Sequence, residues 1–327
     1  MRDGPDTGWH DDPVDPVLVV GGGISGIAAA LEVQRAGLPV LISDRGRRLG
    51  GRMASRTTEG RPVDTGASYF TVSSPAFGAV VADWQRRGLA REWTDTFTVY
   101  GDPDRSSTGG PMRWAAPGGL RSLVEDLAGG LDVRSSTTVE RIDPGLVVAG
   151  ASYAAIVLAM PDPQARRLLD PAYAGALAAL DDPYEPVLAL SAGWPARAWT
   201  DFDGAFVNGD PVLAWVADDG RRRGDDAPVL VAHSTTDFAA GRLEDPDAAL
   251  TPMVDALRKR LAIPTDPVYA RVHRWSFARP TKQRDDPYFL GDDGLGVCGD
   301  GWHGKSRVEA AYLSGQALGR AIAERLS

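Results

Sequence analysis

The 327-residue sequence has a single cysteine, Cys298. No disulfide can form within the chain, which fits a reducing cytoplasm. Cys298 ends an apolar run and reads as a small buried hydrophobe. Only four histidines occur, and they are scattered, so no metal site is expected. Basic charge is also in short supply. Thirty-five Lys and Arg face 44 Asp and Glu, for a net charge of -9 and a pI near 5.0. That balance argues against nucleic acid or an anionic membrane as partner. Long apolar runs are missing too. The strongest candidate, 17–33, is broken by three consecutive glycines and preceded by Asp11, Asp12 and Asp15 with no lysine, so it is neither a span nor a signal peptide. A soluble, cytoplasmic protein is expected. There is no internal repeat.

What remains is an ordinary globular composition, 43% hydrophobic with nine tryptophans, at a length suited to one large or two interleaved domains. Residues 1–15 are acidic and rich in Pro and Gly, and read as a disordered tail. From Pro16 the pattern is a buried strand at 17–20, a helix over 24–35 closed by Gly37, and a second strand at 39–43 followed by Asp44, which is a βαβ unit. A helix is expected within 75–91, a Gly/Pro/Ser-rich loop over 101–119 holding Arg113 and Trp114, and a helix at 119–127. Strands are expected near 131–134, 138–142 and 154–159. Between 165 and 285 short β-like runs (187–192, 212–216, 229–233, 268–275) and one helix, 248–261, are separated by acidic turns. The turn DDGRRRGDDAP at 218–228 reads as a solvated loop. The last residues return to strand (294–298), Gly/Asp turn and helix (308–326). The expected fold is therefore α/β, a Rossmann-type dinucleotide-binding domain (16–65, 118–164, 286–327) interleaved with a mixed β-sheet and helix domain (66–117, 165–285).

Gly21-Gly22-Gly23-Ile24-Ser25-Gly26 matches G-x-G-x-x-G at the junction of strand and helix. The first glycine permits the tight turn, the second admits a pyrophosphate to the backbone, and the third lets the helix pack close. The helix N-terminus turns its free N–H groups on the phosphates. Asp44 stands where an acid would accept from a ribose diol, which favours FAD or NAD over NADP. Next, Arg48-Leu49-Gly50-Gly51-Arg52-Met53-Ala54-Ser55 combines close backbone approach with guanidinium groups able to neutralise pyrophosphate. Near the end, Gly299-Asp300-Gly301-Trp302 offers a carboxylate for a flavin ribitol. The helix beginning at Arg307-Val308-Glu309 would turn its positive end on the flavin edge that gains charge on reduction.

In order, GGGISG, Asp44, RRLGGRMAS, VDTGASYFT, LAMPDPQA, RVHRWSFARP and GVCGDGWHGKSRVEAAYLSG resemble the renalase-like branch of the flavin-containing amine oxidase superfamily, from Val17 to the C-terminus. The resemblance implies non-covalent FAD and hydride transfer from a small substrate to flavin N5. Re-oxidation by O2 would then give H2O2, with the cofactor carrying most of the chemistry. In bacterial members the expected donors are isomeric forms of reduced nicotinamide, NAD(P)H isomers, and a dihydropyridine needs no dedicated protein base. The cofactor set it implies is Gly21, Gly23, Ile24, Ser25, Gly26, Asp44 and Arg45, with Gly50, Gly51, Arg52 and Met53 from the second motif. Ala67, Ser68, Tyr69 and Val139 follow, then Gly299, Asp300, Arg307, Val308 and Glu309. Trp275, Trp302, Tyr69, Phe277 and His303 are the substrate-pocket candidates, with Phe70 as a further aromatic wall. His273 reads as structural, out of phase with the neighbours of Trp275. Ser68 stands where relatives commonly have glutamine, and Ser276 and Phe277 where they tend to have arginine and tyrosine, which makes the expected pocket more apolar and loosens the nicotinamide reading. The alternatives are an amine oxidase or desaturase-like flavoenzyme, and a flavin-fold protein that has become a binding or regulatory module.

Overall fold

A computed structural model describes residues 15–104 and 106–327. The tail expected over 1–15 therefore lies, but for Asp15, outside the described residues. Two sheets carry the structure. The first has six strands in the order Phe289–Leu290, Leu295–Val297, Ala155–Leu158, Val17–Val20, Val40–Asp44, Asp132–Ser135. All its pairings are parallel except that of the edge strand Phe289–Leu290. The two central strands, Val17–Val20 and Ala155–Leu158, are continuous apolar runs buried along their whole length, as strands covered on both faces must be. Helix Ile24–Arg35 follows the first strand and lies against the C-terminal helix Val308–Leu326. Their contact is backbone-close: a Cβ on Gly315 would come 1.9 Å from the Ser25 carbonyl oxygen, and one on Gly319 2.4 Å from that of Ala29. Neither helix could approach the other this way with any side chain at those positions.

The second sheet has eight strands in the order Tyr269–Arg279, Glu185–Gly193, Val229–Ser234, Leu213–Asp218, Gly204–Val207, Arg91–Tyr100, Ser107–Ala115, Phe70–Thr71. It is antiparallel apart from the pairing of Gly204–Val207 with Arg91–Tyr100. Helix Leu250–Leu261 covers one face, inserting Met253, Val254 and Leu257. A separate hairpin, Ser55–Thr58 with Arg61–Asp64, connects the two layers. No described helix is long and apolar enough to cross a membrane.

Three local expectations fail. The loop expected over 101–119 is largely a nine-residue strand, Ser107–Ala115, paired with Arg91–Tyr100. Its composition is that of a loop, and the pairing partner overrides it. The strand expected at 138–142 does not form, and only an isolated bridge at Ile142 remains. The largest departure is 218–228. Instead of a solvated loop, it contains the helix Asp219–Arg223, with Asp218, Asp219, Arg222 and Arg223 all buried. Asp219 pairs with Arg61, Arg222 and Arg223, and Arg223 reaches Asp64 at 2.9 Å. Arg222 also donates to the Ser68 carbonyl (3.0 Å), and Arg223 to that of Ala116 (3.2 Å). Like and unlike charges alternating in sequence look solvated, but here they neutralise one another in the interior and tie the second sheet to the segment leaving the hairpin.

Candidate active site

The motifs converge at the carboxyl edge of the parallel sheet, where α/β folds of this kind hold dinucleotides. Gly21 has a φ of 111°, open to glycine and costly for any other residue. A Cβ on Gly26 would lie 2.0 Å from the Gly21 carbonyl oxygen, so the third glycine is demanded by packing. Gly23, the N-cap, has no side chain capping the helix, and the space in front of its Cα is open to 4 Å. The helix thus presents uncapped N–H groups to an open space, the geometry a pyrophosphate requires. Asp44 sits at the end of the second strand and accepts from the Gly22 and Gly46 amides, each at 2.6 Å. The second glycine motif folds onto the first: the Gly50 amide donates to the Gly22 carbonyl at 2.9 Å, and Gly51 lies against Gly23.

Arg52 leaves this turn toward the other end of the site. Its guanidinium forms a two-bond pair with Asp300, at 2.5 and 3.0 Å, and also donates to the Ala278 carbonyl. Burial pulls the Arg52 pKa down, and the charge of Asp300 with Tyr184 beside it more than restores it, so the group stays cationic. Asp300 takes a further bond from Ser306, and Tyr184 lies 5.5 Å from the Arg52 guanidinium. Burial pushes the Tyr184 hydroxyl far above the usual phenol range, so it stays protonated. Trp275 packs over Gly66 and donates its indole N–H to the Thr65 carbonyl at 2.7 Å. Gly66 is in turn pressed on the Arg52 carbonyl, which accepts from Ala67 at 2.8 Å. Trp275, Arg52, Asp300 and Tyr184 therefore form one contiguous cluster, drawn from one strand of the eight-stranded sheet, the turn Gly51–Met53, the turn before Glu185 and the turn after Cys298.

The other candidates are placed as follows. Ile24 and Met53 are core residues, and Ser25 is buried beside Cys298, whose thiol burial pushes up to about 12. Val139 is half-buried against the outer face of the parallel sheet, and Arg45 is exposed. Gly299 and Ala67 flank the Asp300 and Arg52 positions. The buried Ser68 hydroxyl accepts from the Trp215 indole N–H at 3.1 Å. Tyr69 joins a ring cluster with Trp93, Phe97 and Trp215. Arg307 and His303 are exposed, and Val308 begins the C-terminal helix.

Three readings need correction. Trp302 is only 5% exposed and packs in the core with Leu158, Leu180 and Val297, the Arg284 guanidinium 4.6 Å above its ring. Phe70 is likewise core, stacked on Trp114 and met edge-on by Phe77 and Trp84. Glu309 turns its buried carboxylate away from the helix end, to the amides of Ser73 and Ser74 at 2.8 and 2.6 Å. His273 and Trp275, two residues apart on one strand, share a face, with ring centroids 4.6 Å apart, and His273 is out of phase with the neighbours of Trp275 as expected. Ser276 and Phe277 fall in a break of register between Glu185 and Val187, so strict alternation stops after Trp275. Sequence reasoning missed Tyr184 altogether; lying between two prolines in an acidic turn, it carries no local signal.

Fold and site together define a dinucleotide-binding protein with a second sheet closing over the ligand edge. Two family models match, a NAD(P)-binding Rossmann-like domain over residues 19–84 and the flavin-containing amine oxidoreductases over 71–323. The chain belongs to the flavin-containing amine oxidoreductase family, whose cofactor is FAD. Among curated proteins it is 32% identical over 127 residues to the coproporphyrinogen III oxidase of Mycobacterium leprae, covering 38% of this chain and 27% of that one. It is 46% identical over 86 residues to the (S)-6-hydroxynicotine oxidase of Paenarthrobacter nicotinovorans, covering 25% and 20%. The matched stretches of the first relatives span only 11% to 27% of their lengths. Among solved structures, a putative protoporphyrinogen oxidase from Exiguobacterium sp. 255-15 superposes with a TM-score of 0.72 at 16% identity, over 95% of this chain and 99% of that one. Cyclohexylamine oxidase from Brevibacterium oxydans IH-35A gives 0.71 at 17%, over 96% and 100%. At such identities the likeness is one of fold.

Proposed function

We propose that the chain is an oxidase or dehydrogenase that holds FAD non-covalently and removes a hydride from carbon next to nitrogen in a small planar donor, a dihydropyridine such as an isomer of reduced nicotinamide. On this reading residues 16–65, 118–164 and 286–327 hold the cofactor, and 66–117 with 165–285 cover the substrate. When bound, FAD supplies a two-electron acceptor for the hydride and passes both electrons to O2, giving H2O2. The chain's own residues bind and orient. The uncapped helix at Gly23 takes the pyrophosphate and Asp44 the ribose, while the Arg52–Asp300 pair sets the charge at the far end and Trp275 offers a flat wall. The observation that carries the donor class is that, among the described residues, the cluster around Trp275 holds no uncommitted strong base. Asp300 is committed to Arg52 and Ser306, burial keeps Tyr184 protonated, and His273, with a pKa lowered to about 4, is neutral but too weak a base to take a proton efficiently. A dihydropyridine loses hydride with the help of its own nitrogen lone pair and needs no such base.

A second reading, oxidation of an amine, is favoured by the relatives that carry that name, among them a putrescine oxidase of known structure. Anaerobic mixing of the purified protein with NADH isomers and with a panel of amines separates the two. Bleaching of the flavin band by the isomers is expected; bleaching by amines alone would transfer the assignment, and absence of a flavin band would remove both.

A further inference from the structure

Two residues along the strand from Trp275 the surface changes character. A cavity of about 320 Å³ opens between the hairpin and the eight-stranded sheet, lined by Arg48, Arg56, Arg121, Arg271, His273 and Thr65. Arg271, His273 and Trp275 alternate on one face of their strand, so the cavity lies about 7 Å per residue pair down the same wall. In a chain of net charge -9 this clustering of arginine is the reverse of the overall balance.

Three of these arginines have no carboxylate within 4 Å among the described residues. Arg121 donates only to the Ser55 and Leu49 carbonyls, at 3.0 and 2.7 Å. Arg56 meets only the His273 ring, at 3.5 Å, and Arg271 makes no ion pair. Arg48 alone is paired, with Glu125 at 2.8 Å. Thr65 is 2% exposed, and its hydroxyl has no hydrogen-bond partner. A buried orphan hydroxyl and three guanidiniums with no carboxylate partner around one cavity leave positive charge there without a counter-ion.

We propose that this cavity binds the oxyanion end of the substrate, a phosphoryl or carboxylate group, while the part that reacts extends along the strand to Trp275. The placement of the reacting end rests on the flavin reading above; the anion site does not. It also answers the loss of arginine at Ser276, since cationic groups for an anionic substrate come from Arg56, Arg121 and Arg271 instead. A polycationic amine would be repelled here.

The test uses the flavin-loaded protein, so that the phosphate-binding turn at Gly23 is already filled. Inorganic pyrophosphate and the tricarboxylate citrate are titrated at low ionic strength by calorimetry. Saturable binding of at least one is expected, weakened about tenfold or more (about 1.4 kcal/mol) in both R56A and R271A. R86A, which removes an exposed arginine on helix Pro75–Arg86, should leave affinity unchanged. Tighter pyrophosphate identifies a phosphoryl group, and tighter citrate a carboxylate. No saturable binding of either probe, equal affinity in R56A and R271A, or an equal loss in R86A would overturn the site. Because binding is read without turnover, a protein that holds these anions but shows no donor oxidation would strike the oxidase reading alone.

Discussion

Replacing Asp219 by asparagine tests whether the 218–228 segment is structural. Asp219 is fully buried and faces Arg61, Arg222 and Arg223, and Arg222 is itself fully buried. The substitution keeps the size but leaves three guanidiniums gathered around a neutral amide. Removing one member of a buried charge set costs about 3–5 kcal/mol, against a total stability of about 5–15 kcal/mol. With a urea slope of about 3 kcal/mol/M, the denaturation midpoint should fall by about 1–1.7 M. Asp83→Asn is the control. Asp83 pairs with Arg86 and Arg87 on an exposed helix, so its loss should cost less than about 1 kcal/mol. Burial pushes the Asp219 pKa up, but the three guanidiniums more than reverse this and hold it below the usual carboxylate range. Its contribution is thus complete above about pH 4 and is lost as the pH falls below that value. Tryptophan fluorescence in urea at pH 7.5, 5 and 3.5 reads both effects. A midpoint shift at neutral pH no larger than that of Asp83→Asn would refute the account of a buried neutralising cluster.

Gly26→Ala should weaken FAD binding at least tenfold, about 1.4 kcal/mol, read as a lower flavin-to-protein absorbance ratio of the purified chain, because the new methyl would strike the Gly21 carbonyl at 2.0 Å. Glu309→Gln should cost about 1–3 kcal/mol, since one amide oxygen cannot replace a carboxylate that accepts from Ser73 and Ser74; a fall of several degrees in the thermal midpoint checks it. His273 has a pKa lowered to about 4 by burial and by Arg56 and Arg274. The folded state stays neutral while the unfolded chain takes up a proton below about pH 6.5, so stability falls as pH drops from 6.5 toward 4. His273→Asn should remove about 1 kcal/mol of that dependence, seen as a smaller difference between urea midpoints at pH 7.5 and pH 5.

The βαβ unit, the glycine turns and the C-terminal strand and helix were legible in the sequence. Each depends on local chemistry: buried strands read as Val/Ile/Leu runs, and a phosphate turn needs glycine at set spacing. The cofactor class followed from the order of those motifs. What only the tertiary structure decided concerns residues whose role depends on distant partners. Ser107–Ala115 is a strand because Arg91–Tyr100 lies beside it, and Trp302 is core because helices close over it. Asp219 and its arginines are interior because their charges cancel across the chain, which no local charge count can show. The arginines of the cavity, Arg56, Arg121 and Arg271, are separated by up to 215 residues (271 minus 56). Sequence spacing carries no information about such a meeting; it is set by the register of the two sheets, which brings unpaired charge and an orphan hydroxyl to one wall beside Trp275.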